Sequence, residues 1–224
     1  MSSSQKTRWG QNIGPAVAPF PSQAQRPGQI KLTGKTVTLE PLTASHAVDL
    51  WPEVKGNDHI WTYLGDEPYQ SFEDFQQAVT TKAESKDLNF MAIIVGNILF
   101  SPRLQRSKAA TEAMYLMMKH VFDDLGYRRY EWKCDRHNGP SKQAALRLGF
   151  TFEGVFRQHM VYKGRSRDTA WFSVIDKDWP LLKKAFEKWL EDENFDAEGG
   201  VQLRRLQDLR EELPAQGGPV VLEL

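Results

Sequence analysis

Only one cysteine, Cys134, stands among the 224 residues, so no disulfide can close within the chain, which suits a reducing compartment. Neither charge is in excess: 29 Lys and Arg balance 29 Asp and Glu. That removes whole-chain attraction to nucleic acid or to an anionic membrane, and leaves only a local basic patch open. No apolar run approaches the roughly 20 residues that span a bilayer. The opening MSSSQKTRWGQ lacks the apolar core of a signal peptide. The chain therefore reads as soluble and cytoplasmic, with a nuclear address left open and neither nucleic acid nor membrane among its partners. The histidines His46, His59, His120, His137 and His159 fall at scattered spacings that suggest no metal site.

What is present falls into blocks. Residues 1–30 are rich in Gly, Pro, Ser and Gln, with prolines at Pro15, Pro19, Pro21 and Pro27, and predict an extended arm on the surface or disordered. Trp9, Ile13, Val17 and Phe20 either dock on the core or leave the arm untethered. From Lys35, Val37 and Leu39 alternate with polar residues, the period of a half-buried strand, ended by Pro41. Ser45 is placed to cap a helix carrying Ala47, Val48, Leu50 and Trp51. Ser71 and Asp74 resemble a capping box for a helix to about Glu84. The run Leu88–Phe100 is the most apolar and reads as buried strand interrupted at Gly96.

The clearest helix covers Ala109 to Leu125, with Ala110, Ala113, Met114, Met117, Val121 and Leu125 on one face and Gly126 at its end. Arg128 to Asp135 alternates as a strand, with Tyr130, Trp132 and Cys134 on one side. After a turn at Asn138-Gly139-Pro140, Ser141 is placed to cap a short helix with Ala144, Ala145 and Leu148 inward, stopped by Gly149. Strands at about 151–162 and 168–175 flank a turn at Lys163–Ser166, and a charged amphipathic helix carries Leu181, Phe186 and Trp189. Residues 195–224 read as a polar helical tail. The order predicts an α/β (α+β) fold, a mixed sheet with helices on its faces.

The chemistry concentrates where a buried strand ends, Phe100-Ser101-Pro102 turns, and a long helix begins at Ala109. The first amides of a helix lack intrahelical partners and carry partial positive charge, a ready site for an anion such as a diphosphate. The small residues Ala109 and Ala110 permit close approach, and Arg106 and Lys108 add full charges. An ordinary basic loop before an ordinary helix has the same residues.

This stretch, followed by Gly126-Tyr127-Arg128-Arg129, Asn138-Gly139-Pro140-Ser141 and Leu148-Gly149-Phe150-Thr151-Phe152-Glu153-Gly154, resembles the GNAT superfamily of N-acyltransferases, in the branch that includes ribosomal-protein and amino-sugar acetyltransferases. The matching core is residues 98–154. The resemblance implies a mixed, mostly antiparallel sheet with helices on both faces, in a domain over residues 31–180 followed by a charged helical tail at 181–224. It implies acetyl-CoA as acyl donor and a primary amine as acceptor. Gln105, Arg106, Ser107, Lys108, Ala109 and Ala110 would cradle the CoA pyrophosphate through backbone amides. The strand at Ile98–Phe100 would meet the pantetheine, with amides near Leu99 and Phe100 holding the oxyanion. Asn138 and Ser141 would hydrogen-bond the pantetheine arm near the thioester.

The chain departs from that family in three places. Lys108 stands where the loop has glycine, and Ala145 where many relatives place a tyrosine as general acid for the leaving thiolate. The segments Met91-Ala92-Ile93-Ile94 and Val95-Gly96-Asn97-Ile98 are fused where the family has two strands and a hairpin between them, a stretch that often supplies a catalytic glutamate. The sheet is therefore expected to be shortened, and a homodimer is one way to cover the exposed edge. The catalytic base is not assigned. Two other readings follow from these departures, a CoA-binding module without catalysis and a truncated product.

Single residues also carry alternatives. Cys134 reads as a buried structural thiol rather than a nucleophile. His137, beside the expected thioester position, reads as a solvated turn residue rather than a base, since nothing in the sequence fixes a partner for it. Glu112 reads as an acid complementing the helix dipole. Trp61-Thr62-Tyr63 either wall the acceptor pocket or belong to the core.

Overall fold

A computed structural model describes residues 5–6, 8–13, 25–85, 91–92, 101–197 and 200–213. In the proline-rich arm, β1 (Gln5–Lys6) pairs antiparallel with β2 (Asn12–Ile13). Trp9 is exposed, and the Tyr127 hydroxyl donates to the Gln25 carbonyl (2.5 Å), fastening the end of the arm to the body. Val17 and Phe20 lie outside the described residues.

The first half of the chain builds a small antiparallel sheet, β3 (Leu32–Thr33), β4 (Thr38–Pro41) and β5 (Met91–Ala92), in the order β3-β4-β5. Met91 and Ala92 are the described part of the predicted apolar strand, and they pair with Pro41 and Glu40. Between β4 and β5 come α1 (His46–Val54), a 3-10 turn at Asp58–Trp61 and α2 (Phe72–Ala83). Ser71 caps α2, accepting from the Asp74 amide at 3.1 Å and donating to the Asp74 carboxylate at 2.7 Å. Ser45 does not cap α1: its backbone is already helical, and its hydroxyl sits 2.8 Å from that of Thr43. Val48, expected inward, is exposed; the buried face is Ala47, Leu50 and Val54. These close a cluster with Trp61, Phe75 and Val79, in which Trp51 and Phe75 lie 5.4 Å apart.

α3 (Lys108–Lys119) runs into a π turn at His120–Asp124 and ends before Gly126, whose φ of 64° is the left-handed conformation that glycine adopts without strain. Its buried stripe continues through Met114, Met118 and Phe122, while Met117, Val121 and Leu125 are half-buried. The wider π turn is invisible to a pattern search at 3.6 residues per turn. Glu112 does not serve the helix dipole. It lies beyond the first turn, is buried, and accepts from the amides of Lys35 and Thr36 (2.7 Å each) and from the Thr36 hydroxyl (2.5 Å).

The second sheet is β6 (Arg129–Asp135), β7 (Thr151–Tyr162) and β8 (Arg165–Ile175), antiparallel in the order β6-β8-β7. Lys163 and Gly164, with φ of 49° and 67°, form the tight turn between β7 and β8, so β8 begins three residues earlier than the pattern suggested. Trp132, Cys134, Ala170, Phe172 and Val174 face the main core as alternation predicted. α4 (Gly139–Arg147) and α5 (Trp179–Leu190) cover that face. α6 (Leu206–Glu211), in the stretch read as a polar tail, sends Leu206 and Leu209 into the same core. Full burial of side chains such as Phe172 and Phe186 stabilises by about 1.5–3 kcal/mol each. The architecture is mixed α/β, with six α-helices and antiparallel sheets among the described residues.

Candidate active site

The loop from Ser101 to Ser107 folds on itself before α3 starts. The Ser101 carbonyl accepts from the amides of Leu104 (2.9 Å) and Gln105 (3.0 Å), and the Leu104 carbonyl accepts from the Ser107 amide (3.2 Å) and hydroxyl (2.7 Å). Ser107 then caps α3, its Oγ accepting from the Ala110 amide at 3.0 Å. Three of the six amides expected to form the cradle, those of Gln105, Ser107 and Ala110, are thus satisfied internally. The amides of Arg106, Lys108 and Ala109 have no partner among the described residues. Arg106 holds a left-handed φ of 62°, which turns the chain into the helix. Lys108, at the position where the family has glycine, keeps helical backbone as the first residue of α3.

The charges at this junction are divided. Lys108 Nζ is directed to Asp192 Oδ1 at 2.9 Å and lies 4.1 Å from the Phe195 ring centroid, and Lys35 Nζ shares Asp192 at 3.4 Å. Hydrogen bonding to Lys108 holds the Asp192 carboxyl below its ordinary range. Arg103 pairs with Glu53 at 2.9 Å. The exposed Arg106 guanidinium has no ion-pair partner among the described residues, so a cation and three amide donors remain available at one helix N-terminus.

The second part of the site is the start of α4. Asn138, not Ser141, is the cap: its Oδ1 accepts from the Ser141 amide at 3.1 Å. The Ser141 hydroxyl accepts from Trp132 Nε1 at 3.0 Å and hydrogen-bonds the Cys134 thiol. Burial pushes the nearby Cys134 thiol up, which keeps it protonated and unreactive. Arg147, at the other end of α4, donates to Thr111 Oγ1 in the first turns of α3 at 2.8 Å. α4 therefore starts at the second part of the site and reaches the first turns of α3 through the Arg147 side chain at its other end.

The third part was not assembled from sequence. On the sheet face opposite the main core, Asp135 is buried, and its Oδ1 accepts from the His137 amide at 2.8 Å and lies 3.1 Å from His137 Nδ1. Asp135 Oδ2 accepts from the Tyr162 hydroxyl at 2.9 Å. Burial alone would raise the Asp135 carboxyl; hydrogen bonds from His137 and Tyr162 outweigh it and hold it below the ordinary range. Burial, then the hydrogen bond to Asp135, raises the Tyr162 phenol. Arg136 pairs with Asp168 at 3.0 Å beside them. Lys163, at the tip of the β7–β8 hairpin, donates to the Trp61 carbonyl at 2.8 Å and brings the aromatic segment over this end of the sheet. Trp61 is core, 5.3 Å from Tyr69, whereas Tyr63 is half-buried within electrostatic range of Tyr162.

Comparison with known proteins decides the family. A GCN5-related N-acetyltransferase from Brucella melitensis, known by its crystal structure, is 40% identical, with 84% of this chain and 97% of that one covered at a TM-score of 0.80. The chain belongs to the GCN5-related N-acetyltransferases. The family model described as acetyltransferase (GNAT) domain matches residues 93–151, up to the first residue of β7. The crystal structure of the microcin C7 self-immunity acetyltransferase MccE in complex with acetyl-CoA and AMP shares the fold, at 18% identity, 63% and 93% coverage and a TM-score of 0.53. The uncharacterized N-acetyltransferase YnaD of Bacillus subtilis (strain 168) is 22% identical over 81 residues, 36% of this chain. The match spans about half, 48%, of that curated relative's length.

Within this GNAT chain the loop residues Gln105–Ala110 come together at one helix start, and Asn138 and Ser141 at another. Leu99 and Phe100 lie outside the described residues. Asp135 and Tyr162 escaped sequence reasoning because they are 27 positions apart and meet only across the sheet. The i to i+2 spacing of Asp135 and His137 was a legible signal, since an Asx side chain commonly bonds the backbone two residues on. No helix of the described residues is long and apolar enough to cross a membrane, and no group of three or more His, Cys, Asp or Glu among them could hold a metal ion.

Proposed function

We propose that this chain transfers an acetyl group from acetyl-CoA to a primary amine of a small molecule or protein. The observation that carries the reading is the junction of loop and α3, where the amides of Arg106, Lys108 and Ala109 and the exposed Arg106 side chain have no partner among the described residues, in a member of an acetyltransferase family. Donors of that number and charge fit a diphosphate. MccE, which shares the fold, was solved with acetyl-CoA. The pantetheine arm then runs along α4 toward Asn138 and Ser141, where the Asn138 side-chain amide would meet its amides. The acceptor enters over the opposite sheet face, between Tyr63 and the Asp135 cluster. We place the chain near the ribosomal-protein and amino-sugar acetyltransferases on the motifs of its 98–154 core.

The same reading includes a shortened sheet. It is supported by the sequence alone, in which Ile94 and Val95 adjoin where the family places a two-strand hairpin; residues 93–100 lie outside the described residues. A CoA-binding module without catalysis is the second reading. It is favoured by Ala145, fully buried where many relatives place the tyrosine acid.

Isothermal titration of the full chain with acetyl-CoA tests the first step. Binding that Ala110→Trp abolishes supports the site, and no binding by the parent chain removes both readings. Release of free thiol with a panel of amines, peptides and aminoglycosides then separates the enzyme from the silent module.

A further inference from the structure

Resting on the acetyl-transfer reading, the geometry points to His137 as the group that takes the proton from the acceptor amine, with Asp135 and Tyr162 as its positioning residues. The imidazole belongs to the residue immediately before Asn138, at the end of α4 assigned to the thioester. Asp135 fixes it twice: one carboxylate oxygen holds both the His137 amide (2.8 Å) and ring Nδ1 (3.1 Å). A ring held by a carboxylate at Nδ1 carries its proton there, which leaves the Nε2 lone pair free to accept another. The His137 side chain is 66% exposed while that of Asp135 is 7% exposed, so the carboxylate is sealed behind the ring and the ring meets incoming substrate. Tyr162 holds the second carboxylate oxygen at 2.9 Å and stops it rotating.

The same residue answers what the fold omits. Ala145 lies in the core, and the Tyr162 proton is committed to Asp135, so neither protonates the leaving group. In the step proposed, the lone pair of a neutral amine attacks the thioester carbonyl carbon and the C–N bond forms. The carbonyl electron pair moves to oxygen. As it returns, the C–S bond breaks and coenzyme A leaves as thiolate. His137 Nε2 accepts the proton lost by nitrogen and delivers it to the thiolate, so the products are an amide, free thiol and neutral imidazole. The charged groups around the ring are Asp135 from β6 and Asp168 of β8, which pairs with Arg136 of the β6–α4 turn; Arg167 lies 5.4 Å from the Tyr162 ring. Tyr162 comes from β7.

The test is steady-state acetyl transfer and acetyl-CoA titration on the full chain and on His137→Gln, His137→Ala, Asp135→Asn and Tyr162→Phe. His137→Gln is expected to bind acetyl-CoA as the parent does while kcat falls about 100-fold, and to lose the acidic limb of the kcat/KM profile. Free imidazole is expected to restore part of the His137→Ala rate. Asp135→Asn and Tyr162→Phe should lower kcat with little change in KM and move the acidic limb rather than remove it. A His137→Gln variant with parental kcat and an intact acidic limb would overturn the assignment alone. A parent chain that binds no acetyl-CoA, or transfers to no amine, would overturn it together with the acetyl-transfer reading.

Discussion

Glu112 and Thr36, 76 positions apart in sequence, are joined by two hydrogen bonds to one carboxylate oxygen: the Thr36 amide at 2.7 Å and its hydroxyl at 2.5 Å. The other oxygen takes the Lys35 amide, so one buried side chain of α3 closes the β3–β4 turn. Gly34 is required beside it, because a Cβ there would lie 2.5 Å from the carboxylate. Glu112→Ala leaves buried donors unsatisfied and is expected to cost about 2–3 kcal/mol. Gly34→Ala should destabilise through the same contact. Urea unfolding of both variants checks this; Glu112→Ala within 0.5 kcal/mol (about the scatter of surface changes) would refute the clamp.

Arg106 separates strain from charge. Its φ of 62° is costly for any residue with a Cβ, so Arg106→Gly should be about 1 kcal/mol more stable than Arg106→Ala. Both variants lose the guanidinium and should weaken acetyl-CoA binding alike, by about tenfold at low salt and less as salt rises. Thermal unfolding and titration calorimetry read the two effects separately.

Acid should loosen the second sheet. Glu153 accepts from Arg129 at 2.8 and 2.5 Å and from Ser173 at 2.7 Å, and the bonds from Arg129 above all hold its carboxyl below the ordinary range. Asp123, despite burial that would raise it, is held low by Lys183 and Trp179. A carboxyl lower in the folded than in the unfolded state stabilises fully above the unfolded value, near pH 4, and the contribution is lost as pH falls through the folded value. Stability should therefore fall on acidification below about pH 4. Glu153→Gln should flatten the decline, as read by denaturant midpoints across pH.

The last helix belongs to the fold. Leu206 and Leu209 are 1% and 3% exposed. Leu206→Ala is expected to cost about 2–4 kcal/mol, a core value rather than that of a solvated tail. A midpoint unchanged from the parent would show α6 to be dispensable.

Patterns contained in one element were legible in advance. Ser71 and Asp74 sit three apart and cap α2 as their spacing implies, and the alternation of Tyr130, Trp132 and Cys134 put them on the core face of β6. Relationships between elements were not. Glu112 looked like a helix-dipole acid because its partners at Lys35 and Thr36 are far away in sequence. The loop pattern counted six donors, whereas Ser101, Leu104 and Ser107 each take one of them within the loop. Lys108 was expected to face an anion, and nothing near it in sequence announced Asp192. The i to i+2 spacing signals the bond from Asp135 to the His137 amide, but not that the same carboxylate oxygen also holds the imidazole.

The mooring of Lys163 to the Trp61 carbonyl and to Glu67, 2.8 and 3.4 Å away, joins two hydrophobic clusters that share no buried residue. Its ammonium is the rivet between an aromatic block built early in the chain and a sheet built late. Heat should accordingly melt the two as a single cooperative unit, and severing that rivet should let the early block come apart first.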